Sequence, residues 1–250
     1  MIYARFERDG VVSHGIVEAD YVRRIDGTLF DAPVASAVAF PLSSVRLLAP
    51  CRPSKIFALA NNYRSHLHGA AEPKEPQVFL KMPSAVIDPG EAIVLPRGQG
   101  RVDEEAELVV VIGSRCRNVS RSDAMRHVLG FTCGNDVSAR VWQKTDLNWW
   151  RAKSADTFAP VGPWIVTGLD PDALTISCVL NGREVQRCSP KDMVFDIPAL
   201  IAWISSAVTL EPGDVIYTGT SGEPAELHDG DAVEVRIEGI GSLHNVVRQG

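Results

Sequence analysis

The stretch Gly100-Arg-Val-Asp-Glu-Glu-Ala-Glu-Leu-Val-Val-Val-Ile-Gly113 limits the possible folds more than any other. Leu108 to Ile112 is a continuous apolar run rich in Val, which reads as a buried β-strand closed by Gly113. The half before it carries four acids. Side chains alternate faces along a strand, so Glu105 and Glu107 point the same way. Two such carboxylates at the mouth of a buried strand repel one another unless a cation neutralises them. A third acid, Asp136, stands in Gly134-Asn-Asp-Val-Ser-Ala-Arg140. Together the three would form an all-oxygen site suited to Mg²⁺ or Mn²⁺, with Ca²⁺ also accommodated. A solvated strand end explains the same two glutamates, since charge clusters usually face water. On pattern alone both readings stand.

The 250 residues suffice for one large domain, or for a domain with a small lobe. A net charge of −6 argues against a nucleic-acid binder but not against an anionic substrate. No apolar run approaches a membrane span, and Met1-Ile-Tyr-Ala-Arg5 lacks the apolar core of a signal peptide. The five cysteines are odd in number and scattered, with no Cys-x-x-Cys pair. A reduced, cytoplasmic protein without a zinc–thiolate site is expected, with no nucleic-acid or membrane partner.

Residues 1–50 read as a small β-rich lobe, with a hairpin turning at Glu7-Arg-Asp-Gly10 and a further strand at Val22–Ile25. Residues 51–250 form the main domain. Lys55–Ala60 is a buried strand that runs into the polar segment Asn61-Asn-Tyr-Arg-Ser-His-Leu-His68. A polar cluster fixed by a core strand is a common place for function, and equally a plain strand-to-helix turn. Gly69–Pro76 has little apolar anchoring and resembles a lid. Ser122 is expected to cap a helix reaching about Val128. A helix over Val137–Gln143 would set Asp136, Arg140 and Gln143 roughly on one side. Lys153 lies among tryptophans; it either meets an anionic ligand or lays its stem over the rings with the ammonium in water. Asn181-Gly182 signals a hairpin, and Asp196–Val208 is the clearest helix, with Ile197, Leu200, Ile201, Ile204 and Val208 on one face. The irregular order of strands and helices argues against a doubly wound fold or a (β/α)₈ barrel.

Several motifs then recur in a familiar order. They are Asn62-Tyr63 with His66, Phe79-Leu-Lys81, Glu105-Ala-Glu-Leu-Val-Val-Val-Ile-Gly113, Asn135-Asp-Val-Ser-Ala-Arg140, and Ala152-Lys153 with Asp156-Thr-Phe158. Leu210-Glu-Pro-Gly-Asp-Val-Ile-Tyr-Thr-Gly-Thr220 and Glu238-Gly-Ile-Gly-Ser-Leu-His-Asn245 complete them. From about Lys55 onward the chain resembles the fumarylacetoacetate hydrolase family. The resemblance implies a mixed α/β, mainly β fold: a β-sandwich roll that forms a homodimer. It implies a divalent cation on Glu105, Glu107 and Asp136. It further implies catalytic roles for His66 and Lys153, and substrate contacts from Asn62, Tyr63, Arg140, Gln143, Lys153 and Thr220.

The family's substrates are small oxo acids with 1,3-related carbonyls, and the resemblance implies first its name-giving reaction, metal-dependent carbon–carbon hydrolysis of an acylpyruvate-like acid. Members that hydrolyse commonly carry a glutamate three residues after the histidine; here that position is Gly69. The family's frequent Thr-Gly-Thr-Pro becomes Thr218-Gly-Thr-Ser221. Glu72 would have to replace the missing acid by folding inward. Decarboxylation or keto–enol isomerisation of oxaloacetate or hydroxymuconate-type acids does not need that pair, and a catalytically silent binding protein is the remaining reading.

Overall fold

The computed structural model describes residues 1–250. The Ala106–Ile112 strand is buried along its whole length because it lies inside a mixed sheet. Val128–Asn135 pairs with it on one side and Val215–Tyr217 on the other, both antiparallel. Leu108, Val110 and Ile112 enter one apolar core, and Val109 and Val111 enter a second on the opposite face. Burial on both faces is why the run is continuous rather than alternating. Beyond Val215–Tyr217 the sheet continues through Ile56–Ala60, held parallel, to its edge strand Gln77–Lys81.

The first core fills the space between this sheet and a five-stranded one, in the order 183–188, 176–180, 232–237, 241–249 and 92–95. Ile176, Val235 and Leu243 share this core with Leu108 and Val110, which makes a sandwich. The Ile197–Ala207 helix closes one end through Ile197, Leu200, Ile201 and Ile204. Asp196 caps it by accepting the Ala199 N–H at 2.9 Å, and Pro198 sits in its first turn. The chain is therefore mainly β with mixed sheets, as expected.

The amino-terminal strands Ile2–Arg8, Val11–Glu18, Tyr21–Asp26 and Val34–Pro41 form a meander. Ile2 and Tyr3 pair with Val166 and Ile165, so the meander extends the large sheet. No helix is long and apolar enough to cross a membrane.

Two expected helices change. Over Ser122–Val128 only a 3₁₀ turn forms, Ala124–His127. The Ser120 hydroxyl accepts the Asp123 N–H and donates to the Asp123 carboxylate, closing a tight turn where the helix was expected to start. The helix expected from Val137 begins at Arg140, after a two-residue strand, Ser138–Ala139, that pairs with Val102–Asp103. Asp136 therefore does not share a helix face with Arg140 and Gln143.

Candidate functional site

Alternation parts the acids of the opening stretch. Glu105 and Glu107 face one way and meet Asp136, which follows the end of the Val128–Asn135 strand. One ligand oxygen from each of the three lies within 4.8 Å of the others, and all three residues are buried. Backbone bonds fix the register at this end: the Asp136 N–H donates to the Glu105 carbonyl at 2.9 Å, and the Glu105 N–H to Asn135 Oδ1 at 2.9 Å. Gly134 is required here, because a Cβ at that position would lie 2.4 Å from Val109 Cγ2 and 2.5 Å from Tyr217 Cε1.

Cations surround the cluster. Lys153 Nζ lies 2.7 Å from both Glu105 Oε2 and Asp136 Oδ2. Arg140 reaches Glu105 Oε1 at 2.8 Å and Asp103 Oδ2 at 2.7 Å. Lys81, fully buried, donates to Asp136 Oδ1 and to the Lys153 carbonyl. Burial drives the Glu105 pKa up, but the charges of Lys153 and Arg140 overcome it and hold it down at about 2. Burial opposes both ammonium ions as well. It prevails at Lys81, whose pKa is lowered despite Asp136; at Lys153, Asp136 and Glu105 together outweigh it and the pKa rises.

Glu107 differs. Its Oε2 accepts the Gly219 N–H at 2.7 Å, while Oε1 is buried with no hydrogen-bond partner. Burial, then Asp136 and Glu105, push its pKa well above the carboxylate range. A sealed, unpartnered carboxylate oxygen facing two further carboxylates is a place a divalent cation fits. The donor set is all oxygen, which suits a hard ion.

A cavity of about 220 Å³ opens onto this cluster, lined by His66, Glu105, Arg140, Gln143, Lys153 and Thr220 among others. Six expected residues thus converge from distant parts of the chain. Asn62 and Tyr63 do not reach the cavity lining. Asn62 spends its side chain on backbone, donating to the Phe195 and Thr218 carbonyls and accepting the Phe195 N–H. Tyr63 is fully buried. Glu72 pairs with Arg64 at 2.8 Å at the surface. His66 instead meets the Gly222 carbonyl through Nδ1 at 2.7 Å. A larger cavity of about 430 Å³, bordered by Arg5, Arg52 and Ser84, contains none of these groups.

Sequence reasoning did not single out Lys81, Asn61, Phe79, Trp149 or Gln186 as site residues. Lys81 shares strand parity with Phe79, and a lysine at that parity in an apolar strand was the available signal. Gln186 comes from the other sheet and carried none. Its amide donates to Thr220 Oγ1 at 3.1 Å and to the Ser221 carbonyl at 2.6 Å, tying the loop after Tyr217 to the second sheet.

Residues 55–248 match the family described as Fumarylacetoacetate (FAA) hydrolase C-terminal, and residues 1–50 match one described as Rv2993c-like, N-terminal. The chain belongs to the fumarylacetoacetate hydrolase family. It is 42% identical to "Oxaloacetate tautomerase FAHD2A, mitochondrial" of Bos taurus over 222 residues, 83% of this chain and 71% of the relative. A solved 5-carboxymethyl-2-hydroxymuconate delta-isomerase from Mycobacterium smegmatis superposes with a TM-score of 0.96 at 40% identity, over 100% of both chains. Maleylpyruvate hydrolase from Sphingobium sp. SYK-6, solved with manganese(II) and pyruvate, gives 0.83 at 31% identity, again over 100% of both chains. This fumarylacetoacetate hydrolase family member is an enzyme whose relatives include isomerases, tautomerases and hydrolases.

Proposed function

We propose that the chain is a divalent-metal-dependent isomerase that interconverts the enol and keto forms of a small 2-oxo dicarboxylate of the oxaloacetate type. The observation carrying this reading is that His66, at the cavity wall, is oriented by a backbone carbonyl and has no carboxylate partner. Hydrolysis calls for a base that draws a proton from water and keeps it while a carbon–carbon bond breaks. A carboxylate beside the imidazole favours that by stabilising the imidazolium. Isomerisation asks for less: one proton leaves the enol oxygen, one arrives on the adjacent carbon, and no water is consumed.

Glu105, Glu107 and Asp136 would hold Mg²⁺ or Mn²⁺, and the bound ion would supply Lewis-acid polarisation of the substrate's oxo and carboxylate oxygens. Lys153 and Arg140 add fixed positive charge where an anionic substrate gathers negative charge in reaction. The Gln143 amide and the Thr220 hydroxyl complete the polar wall, and His66 carries the proton at Nε2. Hydrolysis of an acylpyruvate is the second reading, favoured by the shared fold of maleylpyruvate hydrolase. Decarboxylation would use the same groups.

The test follows enol absorbance of oxaloacetate with added Mg²⁺ or Mn²⁺, alongside release of CO₂ and cleavage of acetylpyruvate. Wild type should speed ketonisation well beyond either breakdown, and His66→Gln should lower that rate on the order of 10²-fold or more. Fast acetylpyruvate cleavage without ketonisation would replace this reading by the hydrolytic one.

A further inference from the structure

Gly69 stands where the family commonly has a carboxylate three residues after His66, and the residue after the second departure, Ser221, is the Gly222 that His66 contacts. We propose that the Gly222 carbonyl, held in place by Ser65, substitutes for the missing carboxylate and fixes His66 in the tautomer with its proton on Nδ1. This rests on the reading of His66 as the proton carrier.

The Arg64–Leu67 turn presents the consecutive side chains Ser65 and His66 to one residue, Gly222. Ser65 Oγ accepts the Gly222 N–H at 3.1 Å, and His66 Nδ1 lies 2.7 Å from the Gly222 carbonyl. Both polar groups of Gly222 are thus engaged by consecutive side chains. The loop itself is anchored, since Gln186 of the second sheet binds the Ser221 carbonyl at 2.6 Å. The turn is anchored too: Tyr63 bridges to Met193, and Arg64 donates to the Met193 carbonyl at 3.0 Å. Neither side of the contact is free to drift.

A carbonyl oxygen can only accept, so Nδ1 must carry the hydrogen and Nε2 keeps its lone pair. The partner sets which nitrogen is the base, as a carboxylate would. Being neutral, it holds the imidazolium less strongly, which suits a group that must return its proton in each turnover. Ser65 is therefore a positioning residue that acts through Gly222.

The experiment uses the full chain labelled with ¹⁵N-histidine, at alkaline pH so that the ring is neutral, with the His66 signals assigned by their loss in His66→Gln. Wild type should show protonated Nδ1 and unprotonated Nε2. Ser65→Ala should give mixed tautomers and lower kcat for oxaloacetate ketonisation about tenfold, with KM and Mn²⁺ affinity unchanged. Ser65→Thr should restore both. A proton on Nε2 in wild type overturns the proposal, and that measurement stands even if Ser65→Ala does not fold. So does a Ser65→Ala protein with unaltered tautomer and kcat. Nδ1 protonation in a chain that ketonises nothing would sink the functional reading and leave the clamp intact.

Discussion

At the scale of single residues, three consecutive acids do three different things. Asp103 binds Arg101 and Arg140, and Glu105 faces the carboxylates of Glu107 and Asp136. Glu104 turns into the apolar core beside the Cys178 thiol. Its Oε1 accepts the Ala225 N–H at 2.9 Å, but Oε2 is buried without a partner. Burial raises its pKa from 4.5 to about 7. Folded Glu104 therefore keeps a proton that the unfolded chain releases, so stability falls as pH rises through the window from 4.5 to about 7 and the loss is complete above it. Glu104→Gln, in protein stripped of metal, should be more stable than wild type at about pH 8, by roughly 1–3 kcal/mol. At about pH 4 the two should nearly coincide. Denaturant titrations at both values check this; a gain independent of pH would mean that burial of charge is not the cause.

At the scale of elements, the turn after Ile56–Ala60 ends at Gly69, whose φ is +85° with open space where a Cβ would point. A side chain there meets backbone strain rather than a clash, costing about 1–2 kcal/mol. Gly69→Glu should accordingly lower Tm by a few degrees, roughly 2–4 °C for each kcal/mol in a chain of this size. It should also raise acetylpyruvate cleavage by setting a carboxylate near His66. Calorimetry with a pyruvate-coupled assay reads both, and a folded variant with no gain in cleavage would show that the acid cannot reach the imidazole. How legible these elements were depended on what decided them. The Ile197–Ala207 helix could be read because an early proline and one apolar face agreed. Strand parity aligned Glu105 with Glu107, but a solvated strand end fitted that pattern too, and only the resemblance joined Asp136 to them as one cluster. The Ala159–Val166 strand was hidden by Pro160, Gly162 and Pro163, residues that usually argue against a strand. Asn62 looked like a ligand-binding amide, but its partners are backbone groups at Phe195 and Thr218, more than 130 positions away. No local pattern encodes such a contact, and the same holds for Gln186 and for the Gly222 carbonyl.

At the scale of the whole molecule, the matches to residues 1–50 and 55–248 coexist with one uninterrupted sheet. Strand Ile2–Arg8 is hydrogen-bonded to Ala159–Val166, and Tyr3 belongs to the same apolar core as Val109 and Tyr217. A fragment of residues 51–250 should therefore expose a sheet edge and an apolar face. It should aggregate or lose its sharp unfolding transition, whereas the whole chain should unfold in a single one; a fragment with wild-type Tm and Mn²⁺ affinity would show the opposite. The pairing of Ile2 with Val166 also bears on how the protein is made. During translation the first strand leaves the ribosome about 160 residues ahead of its neighbour, a wait of roughly 8–30 s at 5–20 residues per second. For that interval Arg46–Leu48 can cover Arg5–Glu7 but the Ile2–Tyr3 end of the edge stays open to other emerging chains, so yield in the cell should depend on chaperone supply more than on the stability of the finished fold.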